Sequence, residues 1–172
     1  AYARGLQPPF GFTSELTIND SGDGPVSAAD LSVNSWLING LEREFPAAPW
    51  KLLSEETSKD ELIEGVPFEL EWLWILDPLD GRKDFVQGTG EYAVHLALVH
   101  RQDPVLGVVL IPECEELWFG VKDLGAWYEK RSEEKHYVSF SQRRELKELV
   151  LVASRNHRDV RLEKLFKEMN LG

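Results

Sequence analysis

Two aspartates, Asp77 and Asp80, stand three residues apart in the segment WILDPLDG, directly after a predicted buried strand over residues 68–76. Pro78 stiffens the link between them, so a tight turn could aim both carboxylates and the carbonyl of Leu79 at one point. Three oxygen atoms on one side of a turn suit a hard cation such as Mg²⁺, which keeps some of its water ligands. Taken alone, the same residues also fit an ordinary turn, because Asp, Pro and Gly are standard turn residues.

Further acidic residues occupy comparable places at the ends of predicted elements. The pair Glu55 and Glu56 follows a short predicted strand over residues 51–54. Asp30 follows a loop rich in Gly and Pro and comes three residues after Ser27, which is placed to cap a predicted helix. Asp30 could therefore belong to a helix cap or to a functional site, and the two roles can coexist.

The chain as a whole predicts an α+β fold with a mainly antiparallel sheet. Several strand-like segments are joined by short polar links, which is typical of a meander. The predicted helical and loop elements are a loop over residues 7–26, a helix from Ser27 that Pro46 stops, a loop or short helix over 57–67, a short helix or turn over 82–86, and a helix over 158–169. The predicted strands cover residues 51–54, 68–76, 92–100, 105–111, 116–121, 126–130 and 150–153.

Composition and charge exclude several classes of function. The 172 residues carry a formal net charge of −11, and no stretch supplies the basic face of a general nucleic-acid binder, so no nucleic-acid polymer is expected as a partner. No apolar run is long enough to span a membrane. The single cysteine, Cys114, cannot form an internal disulfide, which fits a cytoplasmic protein. An acidic protein that binds a phosphate ester needs a local device such as a cation or a helix N-terminus.

Three acidic segments follow one another along the chain: Pro25–Asp30, Ser54–Glu56 and Asp77–Gly81. Their order, separation and predicted local structure resemble the inositol-monophosphatase superfamily, which carries a loop with Thr-x-x-Asp, then Gly/Ser-Glu-Glu, then Asp-Pro-Leu/Ile-Asp-Gly-Thr. The resemblance implies a layered, sugar-phosphatase-like α+β fold, with an N-terminal, mainly antiparallel sheet packed against helices.

Four later segments narrow the resemblance: Lys83–Phe85, Gly90–Val99, Pro104–Val109 and Ala153–His157. They look like the CysQ-type 3'(2'),5'-bisphosphate nucleotidases, one branch of the superfamily. This branch implies a hydrolase that removes the 3'-phosphate from 3'-phosphoadenosine 5'-phosphate (PAP) and releases AMP and phosphate, with a place in sulfur metabolism. The implied partner is a small phosphorylated substrate, and a homodimer is compatible with the resemblance.

The resemblance also assigns roles to individual residues, with two or three Mg²⁺ ions as the implied cofactor. The implied metal ligands are Glu55, Asp77, Asp80 and the carbonyl of Leu79. The implied catalytic residues are Glu55, Asp77 and the water-orienting Asp30. The implied substrate contacts are the backbone N–H groups of Gly81 and Arg82 and the side chains of Ser154, Arg155 and His157.

The chain departs from the family pattern at Arg82. The family has a Thr there, whose hydroxyl pairs with the carboxylate that Asp30 matches, and the pair orients the attacking water. Arg carries a fixed charge and accepts no hydrogen bond. Arg82 could pair with Asp30 and prevent Asp30 from acting in catalysis, or Arg82 could bind phosphate instead. We hypothesise that water activation is impaired by up to about 10²–10⁴-fold, and that Arg82→Thr raises turnover.

A second departure concerns the C-terminal part of the family pattern. The family carries a further metal-binding Asp in a Trp-Asp-x-Ala-Ala-Gly segment, which these 172 residues lack. We therefore expect an N-terminal metal-binding α+β domain over residues 1–147, the start of a truncated C-terminal α/β domain over residues 148–172, and weak or absent activity. Three alternatives stay open: inositol monophosphatase activity, fructose-1,6-bisphosphatase activity, and a catalytically impaired cation- or phosphate-binding protein.

Overall fold

The computed structural model of the protein describes residues 18–20, 25–56, 70–131, 133–145, 148, 150, 152 and 160–168. Packing divides the chain into two units, Ala1–Val138 and Ser139–Gly172. The first unit contains the large sheet and the acidic segments. The division into domains predicted from the sequence, between residues 147 and 148, stays a prediction.

The first unit contains nine strands and two α-helices among the residues that the structure describes. The strands are β1 (Ile18–Asp20), β2 (Pro25–Ser27), β3 (Trp50–Ser54), β4 (Trp72–Asp80), β5 (Ala93–His100), β6 (Asp103–Ile111), β7 (Glu116–Val121), β8 (Gly125–Lys130) and β9 (His136–Val138). The helices are α1 (Ala28–Glu44) and α2 (Arg82–Gln87), with one 3₁₀ turn at Pro112–Cys114. The second unit contains α3 (Val160–Glu168). Within the described ranges, no helix has both the length and the apolar character that a membrane span requires.

Seven strands form one sheet in the order β3-β4-β5-β6-β7-β8-β9. β3 and β4 run parallel, whereas each later pair of neighbours runs antiparallel. β1 and β2 pair separately and antiparallel. Helix α1 packs against β4. The predicted α+β class with a mainly antiparallel sheet is confirmed.

Short links between strands produce the predicted meander. Arg101 and Gln102 join β5 to β6, with φ angles of 48° and 73°. Positive φ at both central residues gives a turn whose twist matches the right-handed twist of the strands. At the same ends of the strands, the ammonium of Lys122, just after β7, donates to the carboxylate of Asp103 at the start of β6, at 2.8 Å.

The structure differs from the sequence prediction at both ends of the chain. The predicted loop over residues 7–26 contains β1 and most of β2, because these short segments pair their backbones with each other. Within the predicted strand over residues 150–153, Val150 and Val152 lie in no regular element, and the other two positions fall outside the described residues. Residues 57–67 also fall outside them.

The Asp-Pro-Leu-Asp segment is part of a strand rather than the turn that its composition predicts. β4 runs through it to Asp80, and its pairing with β5 shifts register between Asp77 and Asp80. Such a bulge explains how Pro78, which has no N–H group, is tolerated inside the sheet. The turn follows immediately at Gly81, from which α2 begins.

A small apolar core lies directly behind the acidic segments. Its buried members are Ala29, Leu79, Phe85 and Tyr92, with Val86 packed against them. The rings of Phe85 and Tyr92 meet edge to face, with centroids 5.1 Å apart. Because Ala29 precedes Asp30 and Leu79 precedes Asp80, burial of this core fixes the backbone that carries two of the acidic side chains.

Gly81 makes the sharp change of direction from β4 to α2, and we expect Gly81→Ala to destabilise the protein. Gly81 has a φ of 85°, and a Cβ added there would lie 2.5 Å from the carbonyl oxygen of Glu91. A left-handed non-Gly residue costs about 1–2 kcal/mol and overpacking about 1–3 kcal/mol, so we expect a loss of about 2–4 kcal/mol. Urea unfolding at equilibrium measures this loss.

Gly40→Ala is the matched control for this substitution. Gly40 lies within α1, and a Cβ there would meet nothing within 4 Å. Replacing a helical Gly by Ala should leave the free energy of unfolding unchanged or raise it by up to about 1 kcal/mol. Equal unfolding free energies for the two variants would contradict the role given to Gly81.

Candidate functional site

Glu55 and Asp77 lie side by side because β3 and β4 are parallel neighbours. Ser54 pairs in register with Leu76, and the N–H of Glu55 donates to the carbonyl of Leu76 at 3.0 Å. The carboxyl ends of adjacent parallel strands meet at one edge of a sheet. The residues that follow this pair, Glu55 and Asp77, are therefore brought together there.

Helix α1 brings Asp30 to the same edge. Asp30 lies in the first turn of α1 and is fully buried. One turn later, Asn34 accepts a hydrogen bond from the hydroxyl of the buried Ser54 at 2.5 Å. Residues four apart share one face of a helix, so the contact between Asn34 and Ser54 also holds Asp30 against the end of β3.

Asp77 is held by the backbone that follows it. The N–H of Leu79 donates to Oδ1 of Asp77 at 3.1 Å, a local bond from backbone to side chain within the irregular part of β4. Pro78 and Leu79 are buried, whereas Asp80 is exposed. Asp77 is half-buried, so the two aspartates of the segment are more accessible than the two residues between them.

The surroundings of Asp77 disfavour its negative charge. Burial raises the pKa of Asp77, and the carboxylate of Glu55 raises it further. Asp80 acts in the same direction, while the hydrogen bond from Leu79 lowers the pKa in part. The space around Asp77 and Glu55 therefore holds excess negative charge, which a bound cation would offset.

The guanidinium of Arg82 lies among three carboxylates. Its Nε donates to Oδ1 of Asp30 at 2.9 Å, and its Nη2 lies 2.7 Å from Oε1 of Glu55. The same Nη2 also donates to Oε1 of Glu56. The Arg82 side chain is 11% exposed, and those of Asp30 and Glu56 are 0% and 3% exposed. Two of the three ion pairs are therefore shielded from water.

Arg82 keeps its charge in this setting. Burial by itself lowers the pKa of Arg82, but the carboxylates of Glu55, Glu56 and Asp30 outweigh it and raise the pKa above its ordinary value. The guanidinium is thus a permanent positive charge at the site. The pairing with Asp30, one of the two contacts that the sequence leaves open for Arg82, is present in the structure.

The structure thus groups five of the acidic and basic residues singled out from the sequence: Asp30, Glu55, Asp77, Asp80 and Arg82. Ser154, Arg155 and His157 lie outside the described residues. Glu56 is a partner of Arg82 that the sequence reasoning did not assign to the site. The signal available in the sequence was the Glu-Glu pair together with an Arg directly after the last acidic segment, since a buried Arg needs more than one acceptor.

The donor chemistry near Asp77 fits a hard divalent cation. Carboxylate oxygens are the donors that Mg²⁺ prefers, and the charges of Glu55 and Asp80 both disfavour ionised Asp77. Among the residues that the structure describes, however, no three His, Cys, Asp or Glu side chains are already arranged as a metal site. Asp30, Glu55, Glu56, Asp77 and Asp80 together form an acidic cluster. Glu55 interacts with both Asp77 and Arg82, so the guanidinium of Arg82 already supplies a positive charge to one part of this cluster.

Sequence comparison shows which protein family this chain matches. Residues 6–171 match the model of the inositol monophosphatase family. The chain belongs to that family. The resemblance inferred from the three acidic segments is therefore confirmed, and the chain contains a phosphatase fold of this superfamily.

Curated relatives of this inositol monophosphatase family member include several bacterial CysQ proteins. The chain is 33% identical over 147 residues to the 3'(2'),5'-bisphosphate nucleotidase CysQ of Salmonella typhimurium, covering 86% of this chain and 56% of that protein. It is 31% identical over 153 residues to CysQ of Buchnera aphidicola, covering 85% and 53%. The chain thus spans little more than half the length of these relatives.

Solved structures of the family share the fold. The suhB protein of Bartonella henselae superposes with a TM-score of 0.61 at 27% identity, covering 76% of this chain and 47% of that one. An IMPase/NADP phosphatase complexed with Mg²⁺ and phosphate gives a TM-score of 0.56 at 25% identity, covering 66% and 42%. The predicted layered α+β fold is confirmed, and a divalent cation accompanies the fold in the second neighbour.

Proposed function

We propose that this protein is a Mg²⁺-dependent phosphomonoesterase that hydrolyses the 3'-phosphate of PAP to give AMP and phosphate. The observation that carries the proposal is the meeting of Glu55 and Asp77 at adjacent parallel strand ends, in a chain that is 33% identical to a CysQ nucleotidase over 147 residues. A cytoplasmic location and a homodimeric state belong to the same proposal.

In this proposal, the carboxylates of Glu55, Asp77 and Asp80 and the carbonyl of Leu79 hold the cation. Bound Mg²⁺ supplies Lewis acidity toward the phosphate and a water of lowered pKa. The backbone N–H groups of Gly81 and Arg82, where α2 begins after β4, hold phosphate oxygens. Ser154, Arg155 and His157 are proposed to contact the nucleotide, because Arg and hydroxyl donors suit a phosphate group.

Asp30 has a proposed role that Arg82 opposes. A free carboxylate at this place would orient the attacking water, but Nε of Arg82 donates to Asp30 at 2.9 Å. The ion pair occupies Oδ1 of Asp30, so this oxygen is not available to orient a water. This contact supports a second candidate function, a cation- or phosphate-binding protein with impaired catalysis.

A third candidate is an inositol-phosphate or other sugar phosphatase. One neighbouring structure is described as a dual specific IMPase/NADP phosphatase bound with D-inositol-1-phosphate, at 26% identity and a TM-score of 0.55. Six of the CysQ relatives are 30–33% identical to this chain over 85–88% of its length, whereas that structure is 26% identical over 66%, and this supports PAP over the inositol-phosphate class.

Phosphate release from PAP, inositol monophosphate and fructose 1,6-bisphosphate, with and without Mg²⁺, tests the three candidates in the protein of natural length. We expect release that depends on Mg²⁺ and is fastest with PAP. Fastest release with inositol monophosphate or fructose 1,6-bisphosphate would overturn the choice of substrate. If the wild type releases phosphate from none of the three substrates and Arg82→Thr releases it from PAP, the impaired-catalyst candidate is correct.

A further inference from the structure

We propose that the guanidinium of Arg82 is a built-in cation of this site, which closes the part of the acidic cluster formed by Asp30 and Glu56 to divalent ions. Ion binding is then confined to Glu55, Asp77 and Asp80. The inference deepens the proposed function and rests on it, because it takes Glu55 and Asp77 to be ion ligands.

Geometry gives the guanidinium the contacts that an ion would otherwise make. Its nitrogens lie 2.9 Å from Oδ1 of Asp30 and 2.7 Å from Oε1 of Glu55, and it also donates to Glu56. An incoming divalent ion would have to displace these donors to reach the same oxygens. It would also have to lie within a few ångströms of a fixed positive charge, which is unfavourable in a shielded site.

Arg82 is fixed in this position by the fold. It is the first residue of α2 and follows Gly81, whose left-handed conformation turns the chain back toward β3. Its side chain is 11% exposed, and three carboxylates hold its guanidinium in the site. Because this cation is attached to the chain, it does not dissociate as a free ion does.

Glu55 divides the cluster into two parts. One of its oxygens contacts Arg82, while its charge also acts on Asp77. Among the described residues, Arg82 pairs with Asp30, Glu55 and Glu56 but with neither Asp77 nor Asp80. The guanidinium therefore compensates the carboxylates on its own side of Glu55, and divalent ions are drawn to the side with Asp77.

Counting bound Mn²⁺ tests the proposal, because Mn²⁺ takes the same oxygen ligands as Mg²⁺ and can be quantified after equilibrium dialysis. The samples are wild type, Arg82→Thr, Arg82→Lys and the control Arg43→Thr, each at natural length and at saturating Mn²⁺. Arg43 is a suitable control because its ion pair with Glu44, at 3.1 Å, is exposed. We expect Arg82→Thr to bind one Mn²⁺ more per chain than the other three, and equal counts would overturn the proposal.

A second measurement covers the case in which Arg82→Thr fails to fold. With Arg82 in place, Asp30→Asn should change the dissociation constant for Mn²⁺ by less than about threefold, whereas Asp77→Asn should raise it by about tenfold or more. Circular dichroism checks that both variants fold. An equal loss of affinity in the two variants would place the ion on Asp30 and overturn the proposal.

Phosphate release from PAP is recorded on the same samples, so that the two proposals can fail separately. Equal Mn²⁺ counts together with release from PAP would overturn the role of Arg82 and support the proposed function. One additional ion in Arg82→Thr without release from any tested substrate would support the role of Arg82 and overturn the proposed function.

Discussion

Replacing Arg82 by methionine should lower the free energy of unfolding of the metal-free protein by about 3–5 kcal/mol, the usual cost of removing one partner from a buried ion pair. The substitution removes the charge and keeps most of the apolar stem. It leaves the carboxylates of Asp30 and Glu56, which are 0% and 3% exposed, without the guanidinium between them. Urea unfolding in the presence of a chelator measures the change.

The loss in Arg82→Met should depend on pH and on added metal. Without the guanidinium, the buried carboxylates of Asp30 and Glu56 lose one compensating charge, and that loss is felt only while they are ionised. The destabilisation should therefore grow as pH rises through the carboxylate range. Saturating Mg²⁺ should restore part of the lost stability, because a divalent ion can then replace the missing cation.

Two substitutions serve as controls for Arg82→Met. Arg131→Met removes an exposed ion pair with Glu115, at 2.8 Å, and should cost no more than about 1 kcal/mol. Arg82→Lys keeps one positive charge but loses the forked geometry, so its loss should be intermediate. A stability of Arg82→Met within 1 kcal/mol of the wild type at neutral pH would contradict a structural role for the cluster.

The second large effect is expected from Asp77→Asn, which should reduce Mg²⁺-dependent phosphate release by about 10²-fold or more. Groups that only orient metal ligands typically contribute 10–100-fold, and Asp77 is proposed to be a ligand itself. The same variant should be more stable than the wild type in metal-free buffer at neutral pH. A loss of activity together with a gain in stability distinguishes a functional carboxylate from a structural one.

The sign of the stability change follows from the raised pKa of Asp77. Burial, Glu55 and Asp80 raise it above the ordinary value of about 3.9, so the folded state holds the proton more tightly than the unfolded state. From about pH 4 upward, through the folded pKa, the wild type loses stability as Asp77 ionises. Asn carries no charge, so this loss is absent in the variant, and bound Mg²⁺ should reduce it in the wild type.

Urea unfolding from pH 4 to pH 8 without metal measures the effect, and Asp103→Asn is the control. Asp103 is exposed and pairs with Lys122, and its pKa is lowered by that contact. Replacing Asp103 by Asn should slightly lower the free energy of unfolding at neutral pH, which is the opposite of the change expected for Asp77→Asn. A fall in the stability of Asp77→Asn at neutral pH would show that Asp77 supports the fold through contacts that outweigh its repulsion by Glu55.

The regular elements were largely predictable from the sequence because their signals are local. Pro46 ends the polar and apolar pattern of α1, and short polar links separate the strands of the meander. The bounds of β7 agree with the prediction, whereas β9 and the pairing of β1 with β2 were missed. Three-residue strands carry too little periodicity to stand out, since their pairing partners supply most of their stability.

By itself, the sequence determined the fold class, the family and the presence of three acidic segments, because these depend on residue types and on their order along the chain. Only the tertiary structure decided which charges meet. Arg82 pairs with Asp30 and Glu56, which lie 52 and 26 positions away, because β3 and β4 are parallel neighbours and Gly81 turns the chain back. No local pattern encodes such contacts, since they depend on strand order and on the direction of a single turn.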